Sequence, residues 1–195
     1  MALLSSVTRI KYLRDLGFLG SEKTMITNFQ RGWNLGAWLT VDGLYGPKTD
    51  SALRTSADRM RRNLSTCSLN FSFREFKCKC NGQYRNCQGV WISRAHVKRM
   101  QDLRSKIGPV TVNSGCRCVD HNRAVGGALS SQHMFGVASD IAPTTTTARM
   151  KSFNLFAGIG YSQSSGRVLH VDSRDIGGHN STGGKTSAPT VWRYA

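Results

Sequence analysis

The sequence predicts an α+β fold in two parts, and three observations lead to this prediction. Three short segments near the N-terminus carry apolar residues at helical spacing. The remainder alternates helical patterns with short strand-like runs, and its Gly-rich turns separate them. Mixed helices and strands in this order are typical of a small antiparallel sheet with flanking helices. We therefore expect a small three-helix unit over residues 1–66 and an α+β domain over residues 67–195.

Three helices are predicted in the N-terminal unit. The first, SSVTRIKYLRDLGF, has Ser5 or Ser6 as its N-cap and Gly17 as its stop. The second is MITNFQRGWNLG, and the third, GPKTDSALRTSADRM, begins with Pro47 in its first turn. Helices this short bury little surface alone, so the unit is a small module.

The sequence of residues 67–195 predicts two helices and three strands. The helix SRAHVKRMQDLRSKIG has Ser93 as its cap and Gly108 as its stop. The runs PVTVNSG, GVASDIAP and RVLHVDSRD predict strands, and TTTTARMKSFNLFAGIG predicts a capped helix. The Gly- and Ser-rich stretch 177–186 predicts a loop.

The net charge of +16 favours a polyanionic partner, whether nucleic acid, an anionic membrane or an acidic wall polymer. The sequence shows no zinc-finger spacing and no aromatic RNA-binding signature, so we expect no nucleic-acid partner. Its apolar runs are shorter than the roughly 20 residues that cross a bilayer, and a signal-peptide core is not evident. We expect a monomer, made in the cytoplasm without a signal peptide and not inserted into a membrane.

Six cysteines leave three alternatives open: disulfides, buried free thiols or a structural zinc site. They are Cys67, Cys78, Cys80, Cys87, Cys116 and Cys118. The C-x-C spacing and the following six-residue gap differ from the usual C-x2-C zinc ribbon. Disulfides or free thiols are therefore favoured over a second zinc.

A cluster of metal-ligating side chains is predicted from two strand-like runs. Alternation in GRVLHVDSRD places His170 and Asp172 on one face, and Asp140 ends the run GVASD. A buried carboxylate costs several kcal/mol unless a cation or a metal compensates it. Two imidazoles and one carboxylate form a catalytic zinc site with an open fourth position. We assign His133, Asp140 and His170 as ligands of one Zn2+.

The same region carries a family resemblance. The pattern S-x-H-x-x-G-x-A-x-D over residues 131–140, preceded by SGCRCVDHNRAVGGA and followed by LHVDSR, resembles the zinc D-Ala-D-Ala carboxypeptidase and endopeptidase family, including bacteriophage endolysins. This resemblance implies the three zinc ligands named above and peptidoglycan stem peptides as substrate. It also implies that Arg117 binds a substrate carboxylate or carbonyl and assists catalysis, with Ser131 assigned to substrate binding.

The N-terminal segment NFQRGWNLGAWLTVDGLYGPKTDSAL resembles the peptidoglycan-binding module of cell-wall hydrolases. The resemblance rests on an FQ pair, a D-G-x-x-G-P-x-T turn and the helix that follows. The alternative is that these turn residues only end helices and that the aromatic side chains are core. Together the two resemblances imply a modular hydrolase that acts on the bacterial cell wall after release.

The sequence departs from the family pattern at the position of the general base. Relatives carry an acidic residue or a histidine just before the last ligand, where this sequence has Arg167 and Val168. Asp172 is predicted as the base, with the orientation of a ligand imidazole as its alternative role and His179 as a further candidate.

The sequence is compatible with three other functions. A cysteine peptidase using Cys116 or Cys118 would leave Asp140 and the last strand unexplained. A protein of the same fold that binds the wall with little or no turnover is suggested by the missing base. A basic nucleic-acid binder is the third. Of the other histidines, His96 is predicted to be solvated.

Overall fold

The computed structural model describes residues 2–142, 145–178 and 184–194, and it confirms the α+β fold. Among these residues no helix is long and apolar enough to cross a membrane. The helices are α1 (Ser6–Asp15), α2 (Glu22–Gly32), α3 (Pro47–Arg61), α4 (Arg94–Ile107), α5 (Val119–Ala124) and α6 (Thr147–Ser152), with 3-10 turns η1 (Phe73–Phe76), η2 (Gln132–Phe135) and η3 (Arg174–Ile176). The strands are β1 (Val112–Ser114), β2 (Ala138–Ile141), β3 (Gly158–Ser162), β4 (Val168–Asp172) and β5 (Thr190–Tyr194).

The three N-terminal helices form as the sequence predicts. The side chain of Ser5 caps α1 by accepting a hydrogen bond from the backbone N–H of Thr8. Pro47 lies in the first turn of α3, where its missing N–H costs nothing. The loop before α3 is held by the buried amide of Gln30, which donates to Asp42 Oδ1 at 2.9 Å. A polar anchor in α2 thus fixes the entry into α3.

The helical unit packs directly on the second part of the chain. The ring of Phe73 in η1 lies 5.0 Å from Phe18 and 5.6 Å from Phe29, centroid to centroid. Arg31 of α2 donates to the carbonyl oxygen of Phe135 at 2.7 Å and so reaches the end of η2. One hydrophobic core therefore runs across the predicted boundary at residue 66, and the division into two domains stays a prediction.

The sheet has the order β1-β2-β4-β3-β5. The pairs β1·β2 and β2·β4 are antiparallel as predicted. Strand β3, which was not predicted, pairs antiparallel with β4, whereas β5 pairs with β3 in parallel. In the register of β2 with β4, Asp140 lies opposite His170 and Ala138 lies opposite Asp172. The central strand β4 thus carries its polar residues beside those of β2.

The predicted helix over TTTTARMKSFNLFAGIG is wrong in its second half. Helix α6 covers only Thr147–Ser152, and Asn154 then adopts a left-handed backbone with φ 53°. The apolar residues that follow belong to β3, which hydrogen-bonds to β4 and buries Ile159. Their helical spacing was fortuitous, because pairing with a central strand outweighs local helix propensity. Strand β5 was not predicted.

The prediction that His96 is solvated is also wrong. Its side chain is completely buried, and its Nδ1 and Nε2 each lie 2.9 Å from a hydroxyl oxygen, of Ser173 and Ser139 respectively. On α4 it lies four residues before Met100, on the buried face. Burial lowers the pKa of His96 to about 3, so the ring is neutral and bridges two strand ends.

Gly136 ends η2 in a left-handed conformation with φ +68°, and a Cβ there would lie 2.3 Å from the carbonyl oxygen of Trp91. We expect Gly136→Ala to lower the free energy of unfolding by at least about 2 kcal/mol, because backbone strain and the clash add. Gly126→Ala is the matched control, with the same φ and no atom within 4 Å of the added Cβ. If chemical denaturation shows that both variants lose the same free energy of unfolding, the predicted clash is contradicted.

Candidate metal centre

Three short segments bring the predicted ligands together. His133 lies in η2, Asp140 lies near the end of β2, and His170 lies in the middle of β4. The antiparallel pairing sets Asp140 beside His170, and the left-handed turn at Gly136 folds η2 back onto β2. Both imidazoles are buried, and Asp140 is partly exposed.

The three donor atoms fit a tetrahedral ion. His133 Nε2 lies 3.1 Å from Asp140 Oδ1 and 3.3 Å from His170 Nδ1, and His170 Nδ1 lies 2.8 Å from the same Asp140 oxygen. Ligand atoms at about 2.0–2.1 Å from a tetrahedral zinc lie about 3.3 Å from one another. Two neutral imidazoles and a carboxylate are ligands that Zn2+ commonly takes, and three of them leave one coordination position open.

Each ligand imidazole is held through its other nitrogen. His133 Nδ1 lies 2.5 Å from the carbonyl oxygen of Gly115, and His170 Nε2 lies 3.2 Å from Asp172 Oδ2. Such partners fix the tautomer and the orientation of a metal-binding ring. Both rings therefore present the nitrogen that faces Asp140 to the centre.

Asp172 lies behind His170, on the side of the ring away from the other two ligands. Its side chain is completely buried and pairs with Arg174, whose Nη2 and Nε donate at 2.7 and 2.9 Å. Gly158 makes room for this pair, since a Cβ there would lie 2.2 Å from Asp172 Oδ2. The arrangement favours the orienting role of Asp172 over the predicted role as general base.

The charges of the site keep the carboxylates ionised. Burial alone would raise the pKa of Asp140, but hydrogen bonds with His133 and His170 outweigh it and hold the pKa well below the usual range. Burial also lowers the pKa of His133, which favours the neutral form that binds metal. For Asp172 the opposing effect of burial is outweighed by Arg174, which lowers the pKa.

Arg117 and Ser131 line a cavity of about 780 Å³ that opens onto the three ligands. The guanidinium of Arg117 forms an ion pair with Asp140 Oδ2, and its Nε donates to Ser114 Oγ at 3.1 Å. Arg117 thus lies where a substrate could meet it, and it also neutralises the carboxylate of Asp140. The remaining base candidate, His179, lies outside the described residues.

Two aromatic residues of β5 complete the wall of the cavity and were missed in the sequence. The ring of Trp192 lies 5.1 Å from His170, and Tyr194 lies 6.2 Å from Trp192. A Cβ on Gly160 would lie 2.6 Å from the Tyr194 ring, so this glycine admits the pair. The alternation in TVWRY, which puts both rings on one face, was the signal that could have found them.

Comparison with known proteins agrees with this geometry. The family model described as Peptidase M15 matches residues 69–172, which include all three candidate ligands. The chain belongs to the peptidase M15 family. It is also 30% identical over 165 residues to the zinc D-Ala-D-Ala carboxypeptidase of Streptomyces albus G. That alignment covers 75% of this chain and 59% of the relative, so the chain spans less than two thirds of that protein's length. The family predicted from the sequence is confirmed.

The thiols of Cys116 and Cys118, the two candidates for a cysteine peptidase, do not resemble nucleophiles in this member of the M15 family. All six cysteines are free and buried. Burial raises the pKa of Cys116 to about 12, and its sulfur accepts a hydrogen bond from the backbone N–H of Trp91 at 3.3 Å. The sulfur of Cys118 lies within 3.9 Å of the sulfurs of Cys78 and Cys80, and burial raises the pKa of Cys118 to about 11. A reactive cysteine needs a lowered pKa and access to substrate, so the geometry does not support a cysteine peptidase.

Proposed function

We propose that this protein is a zinc-dependent peptidase that hydrolyses an amide bond in the stem peptide or cross-link of bacterial peptidoglycan. The observation that carries the proposal is the centre formed by His133, Asp140 and His170, open on one side to a cavity, in a chain of the M15 family. The relative from Streptomyces albus G, named as a zinc D-Ala-D-Ala carboxypeptidase, supports the metal and the substrate class.

Each residue of the site has a separate role in the proposed reaction. His133, Asp140 and His170 would hold a zinc ion, which would supply a Lewis acid able to lower the pKa of water to ~7 and to polarise a carbonyl group. The carbonyl oxygen of Gly115 and the carboxylate of Asp172 hold the rings of His133 and His170, respectively, in place. Arg117 offers N–H donors to a substrate carboxylate or to negative charge that develops on the carbonyl oxygen. Trp192 gives the substrate an apolar wall next to His170.

Digestion of purified peptidoglycan tests the proposal. We expect the full chain with zinc to release peptide fragments, and mass spectrometry of these fragments identifies the bond that is cut. Chelation should stop the release and added zinc should restore it. Undiminished release after removal of all metal would reject the zinc mechanism.

The basic charge of +16 should help the enzyme stay on an anionic wall, so activity should fall at high salt.

A second candidate is a wall-binding protein of the same fold that turns over slowly or not at all. The observation in its favour is that Asp140 and Asp172 are the carboxylates among the described residues lining the cavity, and both are paired. Binding to peptidoglycan with zinc present but no fragment released would favour this candidate. For either function, we propose that the protein reaches the wall when it is released at the end of a lytic infection.

A further inference from the structure

A second cluster of metal-ligating side chains lies outside the catalytic centre. The sulfur atoms of Cys78, Cys80, Cys87 and Cys118 all lie within 4.8 Å of one another, and all four residues are buried. We propose that these four thiolates bind a structural Zn2+ that anchors the segment carrying Arg117.

The distances among the sulfur atoms match a tetrahedral site. Cys78 Sγ lies 3.5 Å from Cys80 Sγ and 3.9 Å from Cys118 Sγ, and the last two lie 3.8 Å apart. Four sulfurs at about 2.3 Å from one zinc lie about 3.8 Å from each other, whereas a disulfide requires about 2.05 Å. Because each of these three sulfurs is almost equally near the other two, a shared ion explains the arrangement better than one disulfide pair.

Backbone N–H groups are aimed at two of the sulfurs. The N–H of Cys118 donates to Cys78 Sγ at 3.4 Å, and the N–H of Gly89 donates to Cys87 Sγ at 3.5 Å. Hydrogen bonds of this kind favour the thiolate over the thiol. They are the outer contacts that tune a metal–thiolate site and hold its ligands in place.

The loop that carries three of the cysteines is buried at its end, at residues 90–92, but its middle lies exposed between Cys80 and Cys87. Residues 77–93 contain no helix or strand, and between Cys80 and Cys87 every side chain except Tyr84 is exposed. A loop this long without regular structure is uncommon in a compact domain unless something constrains it. A bound zinc would constrain the exposed middle of the loop, and its binding free energy would contribute directly to folding because only the folded chain brings the four thiolates together.

The fourth ligand connects the cluster to the catalytic centre. Cys118 caps α5 and directly follows Arg117, the residue that pairs with Asp140. Upstream, Cys116 N–H donates to the carbonyl oxygen of Phe76 at 2.8 Å, and the carbonyl of Gly115 holds His133. The segment 115–118 is thus fixed on one side by the proposed zinc and supports the catalytic site on the other.

Metal analysis of the full chain, purified under reducing conditions, tests the proposal. We expect two zinc ions per chain in the unaltered protein and one in His133→Ala, which leaves the four thiols unchanged. Cobalt substituted into His133→Ala should give the strong thiolate-to-cobalt charge-transfer absorption. Cys87→Ser should lose the thiolate-bound ion, whereas Cys67→Ser should keep both.

Cys67 is the matched control because it is also buried but lies outside the four-thiol cluster, where it donates to the Gly32 carbonyl at 3.3 Å, a bond that serine can also make. If Cys87→Ser does not fold, the His133→Ala protein decides alone. Any one of four results would overturn the proposal. They are the absence of metal from His133→Ala, iron in place of zinc, a cobalt spectrum without the charge-transfer band, and a mass reduced by the hydrogens of two disulfides. None of these results bears on the proposed peptidase activity.

Discussion

Replacing His133 by Ala should remove the ion of the three-ligand centre and lower kcat/KM for a peptidoglycan peptide by at least about 10³-fold. Two remaining ligands, Asp140 and His170, hold a zinc ion poorly, and the Lewis acid contributes several kcal/mol to the stabilisation of the transition state. The change also leaves the carbonyl of Gly115 without its imidazole partner. Product formation measured by chromatography, together with zinc content, checks this prediction.

His121→Ala is the control for this change. His121 lies on α5, is partly exposed and does not line the cavity, so its replacement should leave kcat/KM unchanged within about twofold. Circular dichroism should show the same helix content in both variants. If His133→Ala hydrolyses peptidoglycan as fast as the unaltered protein, the three-ligand centre is not catalytic.

Much of the metal centre could be predicted because its pattern is local. His133 and Asp140 are separated by seven residues, and a single left-handed turn at Gly136 folds them together. His170 was found from the alternation within one strand, since residues two apart share a face. These relations depend on short-range geometry that the sequence displays directly.

The remaining features depend on contacts between distant segments. The parallel pairing of β5 with β3 brings Trp192 to His170, and nothing within β5 specifies which strand it joins. The thiol cluster combines one loop with Cys118, a separation of 40 residues from Cys78. The partner of Asp172 was missed for a related reason, because η3 turns Arg174 back onto the end of the strand.

Replacing Asp172 by Ala should weaken zinc binding at the catalytic centre by about 10- to 100-fold, the usual effect of removing a partner that orients a ligand. Asp172 Oδ2 contacts His170 Nε2, so its loss frees the ring to rotate and to change its tautomer. Activity should therefore fall at low zinc and recover largely when zinc is saturating. Titration of activity against buffered free zinc measures both effects.

The same substitution should lower the free energy of unfolding by about 3–5 kcal/mol, because it leaves the buried guanidinium of Arg174 without its carboxylate. Adding Arg174→Met should recover part of this loss but none of the zinc affinity. Asp102→Ala is the control, since its ion pair with Lys98 is exposed and contributes at most about 1 kcal/mol. Chemical denaturation is measured on the unaltered protein and the three variants. It separates the cost of a buried guanidinium that has lost its carboxylate from the general effect of removing a carboxylate.

The zinc dependence also decides between the two roles of Asp172. A general base acts on the reacting water, so its removal would leave activity low even with the catalytic ion fully bound. An orienting residue acts through His170, and its loss is offset by more zinc. A variant that stays more than about 10³-fold below the unaltered protein at saturating zinc would show that Asp172 is the base. We expect recovery, because both carboxylate oxygens are already engaged by Arg174 and His170 on the far side of the ring.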